Sequence, residues 1–245
     1  MIFAYLWYPL SLPWDSRKPA KREAEKRSHI MGLDLKHLRE VILPSFDNID
    51  SLKAAIRVEE PSDFFKKYIA DVETKHFSTS RIDFVAEVAS DEYQIDVKKN
   101  DIVVVGSSKI GFALHNKYRN KMIISKAFRE YDNNSDIDIA ICSPSLFQKI
   151  WNELSGFACD QMYLPYRHKK LNDYLLYGWL RPDHFPTDGS LLNCKKVRTV
   201  RGKLRLDRIR GHPKVELALF GSIEQLQLYQ TRSIRLCREN LGDDS

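Results

Sequence analysis

The chain has 245 residues, of which 43% are apolar and 29% are charged, an ordinary composition for a globular protein with a sizeable buried core. Its apolar runs are all shorter than the roughly 18 residues that a membrane-spanning helix needs, so we expect no membrane span. The formal net charge of +6 fits a partner that carries phosphates. The cysteines at positions 142, 159, 194 and 237 lack the spacing of a zinc site and fit the reducing cytoplasm, where we expect the protein to be located.

Residues 1–30 are predicted to form a poorly ordered extension. The sequence begins with an apolar and aromatic stretch, but no basic region precedes it and no small-residue cleavage site follows, which argues against a secretory signal peptide. Pro9 and Pro13 interrupt this stretch. A more regular sequence begins at Met31, which we expect to be an alternative start.

Residues 31–100 are predicted to form a helical lead-in. Apolar side chains recur at helical spacing over residues 33–41, 48–58 and 82–93. Pro61 suits the first position of a further helix. The apolar face of that helix carries Phe64, Phe65, Tyr68 and Ile69. Core packing explains these apolar stripes, so we predict no functional site in this region.

The pattern changes at Asp101, and residues 101–245 are predicted to form a domain with a small mixed sheet. The β-branched run at 102–105 is typical of a strand buried on both faces, and residues 136–141 alternate as a strand does. A later strand is predicted at 215–220. Because helices and strands are mixed rather than strictly alternating along the chain, we expect the α+β class.

Predicted helices flank these strands. Ser143 has the position of an N-cap and Pro144 that of the first helical residue. Ser222 and Gln225 have the spacing of a capping box, which predicts a C-terminal helix that ends near Leu241. We therefore expect the sheet to be enclosed by helices, with the last one closing the domain.

The most informative local pattern is the pair Asp136 and Asp138, which are two residues apart on a predicted strand and therefore share one face. Like charges this close repel each other. A divalent cation removes the repulsion, and Mg²⁺ is commonly held by one or two carboxylates together with substrate phosphates. The pattern predicts a magnesium site, although pairs of this kind also occur on exposed strands without a metal.

A second pattern follows the buried strand, where Gly106 and Ser107 form a small-residue turn ahead of a predicted helix. Glycine lets the backbone approach a phosphate closely, and a helix start attracts anions. Lys109 is a further candidate for contact with phosphates. The spacing is neither that of a P-loop nor that of a dinucleotide fingerprint.

Together the two patterns resemble the polymerase-β-like nucleotidyltransferase superfamily over residues 102–141, and weakly as far as Phe220. They look like small bacterial nucleotidyltransferase-domain proteins, some of which are found in toxin–antitoxin and phage-defence settings. The resemblance implies a nucleotidyltransferase-type sheet with flanking helices. It implies that Gly106 and Ser107 hold a nucleoside triphosphate such as ATP, and that Asp136 and Asp138 are catalytic Mg²⁺ ligands.

The third catalytic carboxylate that the resemblance implies has two candidates. Glu216 is the stronger, because its neighbours on the predicted strand face the other way, and Asp207 is the second. Glu216 could equally be a solvent-facing strand residue. The gap between the Gly-Ser turn and the aspartates exceeds the shortest form of the family, which predicts an insertion within residues 115–134.

A basic cluster occupies residues 195–214, where nine Lys or Arg side chains oppose Asp207 alone. Two interpretations stay open. Either the cluster binds triphosphate or RNA, or it forms a solvated basic hairpin.

The implied reaction is the Mg²⁺-dependent transfer of a nucleoside monophosphate from a nucleoside triphosphate to a hydroxyl group. The alternative is a catalytically inactive nucleotidyltransferase fold that binds a nucleotide or a protein as a regulator. A pure interaction protein is a third possibility. RNA, a protein hydroxyl, a small molecule and a second nucleotide all stay open as acceptors, as does the oligomeric state.

Overall fold

The computed structural model describes residues 46, 48–70, 79–119, 122–132, 135–162, 166–187, 191–206 and 215–242. The predicted extension at 1–30, the predicted helix at 33–41 and the candidate Asp207 lie outside these residues. All described residues belong to one compact unit that begins at Ile42.

Helices surround the sheet on both faces. In chain order they are α1 (Ile49–Val58), α2 (Pro61–Phe65), α3 (Thr79–Tyr93), α4 (Ser107–Ile110), α5 (Pro144–Cys159), α6 (Tyr166–Leu175), α7 (Leu192–Leu206) and α8 (Ile223–Gly242). A π-helical turn over Lys66–Ala70 extends α2, and short 3-10 turns lie at Lys99–Asp101 and Pro182–His184. Within the described ranges, no helix is long and apolar enough to cross a membrane.

The predicted cap residues begin two of these helices. The hydroxyl oxygen of Ser143 accepts a hydrogen bond from the backbone N–H of Leu146 at 3.4 Å, and that of Ser222 accepts one from Gln225 at 3.3 Å. Each serine thereby satisfies a donor that the first helical turn leaves without an intrahelical partner. Both helix starts were predicted from the sequence and are confirmed.

The described strands are β1 (Ile102–Val105), β2 (Lys117–Arg119), β3 (Met122–Ser125), β4 (Ile137–Cys142), β5 (Trp179–Leu180) and β6 (Val215–Phe220). The main sheet has the order β1-β4-β6-β5. Strand β4 is antiparallel to β1 and parallel to β6, and β5 is antiparallel to β6. The predicted α+β class with a small mixed sheet is therefore confirmed.

The sheet separates two apolar cores. Ile137, Ile139 and Ile141 belong to the core that also contains side chains of α3, α5 and α7. Ala140 and Cys142, on the other face of β4, belong to the core that contains side chains of α1, α2 and α8. The predicted lead-in therefore shares a hydrophobic core with the sheet.

The predicted insertion contains a separate hairpin. Strands β2 and β3 pair with each other in a two-stranded sheet outside the main one. The chain returns from the hairpin through an isolated bridge between Phe112 and Glu130, and the backbone N–H of Tyr131 donates to the Gly111 carbonyl at 2.8 Å. These contacts hold the two ends of the insertion together, so the chain re-enters the main sheet at β4 next to β1.

The basic cluster is helical where the structure describes it, so the interpretation as a hairpin is wrong. Residues 192–206 form α7, and residues 207–214 lie outside the described part. The apolar side of α7 consists of Cys194, Val197, Val200 and Leu204, which are buried in the first core. On α5, the Glu153 carboxylate accepts hydrogen bonds from the N–H groups of Asn193 at 3.0 Å and Cys194 at 2.8 Å. This carboxylate caps α7 and fixes its start against α5.

Candidate functional site

Asp138 and Glu216 lie side by side on the main sheet. They are register partners on β4 and β6, which run parallel to each other. Register partners on adjacent strands point to the same face of a sheet. The structure therefore places Glu216 beside Asp138 on the same face of the sheet.

Asp136 lies one residue before β4, and the period-two alternation places it on the face of Asp138. A turn fixes this entry to the strand. The Ser135 hydroxyl, in a residue that is 3% exposed, donates to Asp132 Oδ1 at 2.7 Å. The Ser135 backbone N–H donates to the Asp132 carbonyl at 3.0 Å. Ser135, which precedes the aspartate pair, thus has a structural role in orienting Asp136.

Gly106 brings the backbone of the Gly-Ser turn against the Asp138 carboxylate. Val105, the last residue of β1, is the register partner of Asp138. Gly106 follows with φ +70° and ψ −156°, a conformation that is essentially restricted to glycine. A Cβ atom at position 106 would lie 2.6 Å from Asp138 Oδ2, closer than folded proteins allow. The backbone conformation and the close contact both require glycine at this position.

Negative charge is concentrated at this point of the sheet. The pKa of Asp138 is raised to about 6, mainly by burial and also by the charges of Asp136 and Glu216, while the charge of Lys117 acts in the opposite direction. Burial also raises the pKa of Tyr131 to about 12, with Asp138 as the largest contributor among the neighbouring charges. Charges that are held together away from water repel each other strongly. A cation that binds here would relieve that repulsion.

The carboxylates line an open cleft of ≈ 370 Å³, a volume within the range of small-ligand sites. Carboxylate, guanidinium and indole groups meet in it. The polar and aromatic side chains that line it are Asp136, Asp138, Trp179, Arg181, Asp183, Arg201 and Glu216. This combination suits a ligand that carries several negative charges and can also bind a cation.

Arg201 connects the acidic side chains of this cleft. Its guanidinium donates to the Glu216 carboxylate and lies 3.8 Å from Asp183 Oδ1. Arg181 lies 3.4 Å from Asp183 Oδ2, and its guanidinium carbon lies 5.6 Å from the centroid of the Trp179 ring. The Glu216 carboxylate is therefore engaged by an arginine, whereas the Asp138 carboxylate lies next to the glycine turn.

The donor set fits a Mg²⁺ ion that arrives with a phosphate ligand. In the described segments, no group of three or more His, Cys, Asp or Glu side chains is arranged so that it could hold a metal ion. One or two carboxylates, water and substrate phosphates usually hold Mg²⁺. Asp136 and Asp138 provide two carboxylates, whereas the Glu216 carboxylate is engaged by Arg201.

Lys109 lies apart from the other predicted site residues. It is 5% exposed and does not line the cleft, so its ammonium group is poorly placed to meet a nucleotide. Ser107 follows Gly106 and begins α4, which has only four residues. Such a short helix has a small dipole and contributes little to anion binding. None of the three predicted nucleotide-binding residues lines the cleft, although Gly106 lies against the carboxylate of Asp138, which does.

The sequence prediction missed several residues of this site. They are Lys117, Tyr131, Trp179, Arg181 and Asp183, whereas Arg201 belongs to the basic cluster for which triphosphate binding was one of the two interpretations. Each comes from a segment outside the two motifs, and only the folded sheet brings these segments together. A search for local motifs therefore had no signal for most of them.

Comparison of the chain with protein-family models, with curated proteins and with solved structures finds no match. The interpretation of the cleft depends on the residues of this chain and on their arrangement. Three carboxylates, a glycine turn and two arginines are the features that a functional assignment has to explain.

Proposed function

We propose that the protein is a magnesium-dependent nucleotidyltransferase that moves a nucleoside monophosphate from a nucleoside triphosphate to a hydroxyl acceptor. The observation that carries the proposal is that two distant sequence elements meet at Asp138, a residue that lines the cleft. Asp138 pairs in register with Glu216 and lies against Gly106. Partly buried carboxylates that repel each other cost stability, so their grouping favours a function over a purely structural origin.

Each residue has a defined role in this proposal. Asp136 and Asp138 would hold Mg²⁺, which neutralises phosphate charge and lowers the pKa of an attacking hydroxyl. Gly106 has no side chain, so its backbone lies against the Asp138 carboxylate and could approach a bound phosphate closely. Arg181 and Arg201 line the same cleft and can pair with the remaining phosphate charge.

The reaction joins the acceptor oxygen to the α-phosphorus and breaks the bond from that phosphorus to the oxygen that bridges to the β-phosphate. Pyrophosphate leaves with the electron pair of the broken bond, and the hydroxyl proton passes to water. The protein contributes positioning and charge compensation. The proposal therefore requires no histidine or cysteine nucleophile.

One contact favours the alternative, an inactive fold that binds a nucleotide or a partner protein as a regulator. Arg201 engages Glu216, and a carboxylate that stays paired with an arginine is not available to a second metal ion. In an active enzyme we expect the triphosphate to attract Arg201 and to release Glu216, since phosphate oxygens are good guanidinium acceptors. The inactive fold would bind triphosphate without transferring it.

The test is to incubate the purified protein with each α-labelled nucleoside triphosphate, Mg²⁺ and total cellular RNA or protein, and to follow the label. We expect transfer by the wild type and none by a variant with Asp136→Asn and Asp138→Asn. The matched control carries Asp91→Asn and Asp173→Asn, two exposed aspartates on α3 and α6. This control should transfer as the wild type does.

Binding measurements separate the two candidate functions. Magnesium-dependent triphosphate binding that the Asp136→Asn, Asp138→Asn variant loses, without transfer to any acceptor, would favour the inactive fold. Wild-type protein that binds no triphosphate in the presence of Mg²⁺ would rule out the enzyme and the nucleotide-binding form of the alternative, and would leave a regulator that binds a partner protein.

A further inference from the structure

A second, smaller groove lies next to the cleft. It has a volume of ≈ 110 Å³ and lies between residues 182–187 and helix α7. Asp183 and Arg201 line both the groove and the cleft. The two cavities are therefore neighbours with these side chains at their boundary, and a ligand that extends out of the cleft can continue into the groove.

One wall of the groove is a row of cations on α7. Lys195, Arg198 and Arg201 follow one another at intervals of three residues, a spacing that places side chains on one face of a helix. All three line the groove, and Lys195 and Arg198 are exposed. Asp183 is the acidic side chain among the described residues that line it, and it already pairs with Arg201. The groove therefore carries an excess of positive charge.

The dimensions of the groove suit a single strand of nucleic acid. From position 195 to position 201 the helix rises about 9 Å, at about 1.5 Å per residue, which matches two to three nucleotides at a rise of about 3.4 Å. A double helix has a major groove that is itself about 12 Å wide. A groove of ≈ 110 Å³ is smaller than a whole nucleotide, so it can take up phosphates of a single strand that runs along α7 but cannot enclose a double helix.

The chemistry of the groove favours recognition of phosphates over recognition of bases. Ammonium and guanidinium groups bind phosphodiesters whatever base they carry. Phe185, the aromatic residue among the described lining, is 3% exposed, so it offers no ring face for a base to stack on. We therefore expect binding with little sequence preference.

We propose that the groove binds the terminal phosphodiesters of a single-stranded nucleic acid whose 3′-hydroxyl lies in the cleft as the acceptor. This inference rests on the proposed nucleotidyltransferase function and narrows the acceptor to one chemical class. In the transfer the 3′-oxygen bonds to the α-phosphorus, pyrophosphate leaves with the electron pair of the broken bond, and the hydroxyl proton passes to water. The strand gains one nucleotide while its last phosphates remain on α7.

The test is fluorescence anisotropy with a short labelled single-stranded RNA, and with DNA of the same sequence, over a series of salt concentrations. The groove variant carries Lys195→Gln and Arg198→Gln. It should bind roughly tenfold more weakly, with a salt dependence of log K that is shallower by about 1.4, because each phosphate contact contributes about 0.7. Binding of the RNA alone, or of both the RNA and the DNA, supports the inference. The one that binds more tightly shows whether the groove prefers ribose or deoxyribose.

The matched control is on the same helix. It carries Lys196→Gln and Lys203→Gln, which remove two charges from the side of α7 where Lys196 lies 5.9 Å from the Tyr93 ring centroid and Lys203 pairs with Glu92 at 2.9 Å. This control should bind the strand as the wild type does. An equal loss in both variants would show general charge attraction and would overturn the inference. Poly-glutamate is a polyanion without phosphates. If it competes as well as unlabelled RNA, the groove recognises negative charge alone, and the inference is overturned.

Two results distinguish this inference from the proposed function. If the label is transferred to a protein or a small molecule, and the groove variant binds RNA with unchanged affinity, the proposed nucleic-acid groove is contradicted while the nucleotidyltransferase function is supported. Groove-dependent RNA binding without any transfer would support the groove and count against the enzyme. The Asp136→Asn, Asp138→Asn variant should keep RNA binding while it loses transfer, because its substitutions lie in the cleft and not in the groove.

Discussion

The two sides of the cleft are positioned by different means. On the β1–β4 side the backbone fixes the site, because Asp138 is held between its register partner Val105 and the turn at Gly106. On the β6 side the register places Glu216 beside Asp138, but its carboxylate group is held by an ion pair with Arg201, and the side chains of Glu216 and Arg201 are 31% and 20% exposed. Backbone register persists as long as the sheet is folded, whereas an ion pair of this kind contributes about 1 kcal/mol at most and can exchange partners. The aspartate side is therefore preorganised, and the Glu216 side is adjustable.

The largest expected effect comes from the preorganised side. Asp138→Asn should reduce kcat/KM for nucleotide transfer by about 10³-fold or more, because it removes charge stabilisation at the reacting phosphate. The same change should raise the melting temperature, since a partly buried charge beside Asp136 and Glu216 is lost. Transfer assays and thermal denaturation measure the two effects. A variant that loses activity and also melts at a lower temperature would show that Asp138 stabilises the fold.

On the adjustable side, Glu216→Gln should reduce transfer by about 10²-fold with little change in triphosphate affinity, as expected when an interaction made mainly in the transition state is lost. Single-turnover kinetics and equilibrium binding measure the two quantities separately. Glu239→Gln, on the exposed side of α8, is the matched control and should leave both unchanged. Wild-type transfer by the Glu216→Gln variant would exclude a third catalytic carboxylate at this position.

The dependence of the aspartate side on its backbone can be tested at Gly106. Gly106→Ala should lower the free energy of unfolding by about 2 kcal/mol or more, because alanine is strained in this conformation and its Cβ would clash with Asp138 Oδ2. Gly156→Ala on α5 is the control, since nothing lies within 4 Å of a Cβ there. It should stabilise the protein by about 0.5–1 kcal/mol. Chemical denaturation compares the two, and similar values would contradict the proposed contact.

The smallest expected effect concerns the ion pair itself. A double-mutant cycle with Arg201→Met and Glu216→Gln should give a coupling energy of about 1 kcal/mol in denaturation experiments. Triphosphate and Mg²⁺ should reduce this coupling, because Arg201 then pairs with phosphate. The exposed pair Lys203 and Glu92, 2.9 Å apart, provides a control cycle that the ligand should not affect. A coupling between Arg201 and Glu216 that ligand leaves unchanged would favour the inactive fold.

The sequence predicted the sheet well because its strands have strong local patterns. The β-branched run of β1 and the alternation of apolar residues along β4 and β6 each define a strand and its buried face without reference to the rest of the chain. The placement of Glu216 followed from the same alternation, although its pairing with Asp138 depends on the parallel register of β4 and β6. Strand order is a tertiary property, and the sequence motifs alone left it open.

The prediction failed where composition hid a periodic pattern. The basic cluster was interpreted as a possible hairpin because most of its residues are charged. Its few apolar residues, Cys194, Val197, Val200 and Leu204, are spaced three and four apart, which indicates a helix. The helical pattern puts Lys195, Arg198 and Arg201 on one face of the helix. It does not reveal that Arg201 lies beside Glu216, because that contact depends on how the helix packs on the sheet. The burial of Lys109 likewise depends on packing between distant segments, which no local pattern encodes.

The contact between Gly106 and Asp138 also restricts how this sequence can change over evolutionary time. Any side chain at position 106 would clash with the carboxylate of Asp138. In a lineage that keeps Asp138, every substitution of Gly106 is therefore unfavourable. Once the acid is lost, the steric part of that restriction disappears. Among descendants of this sequence, glycine at 106 should therefore be retained wherever the aspartate at 138 is retained, and should begin to vary only after it has gone.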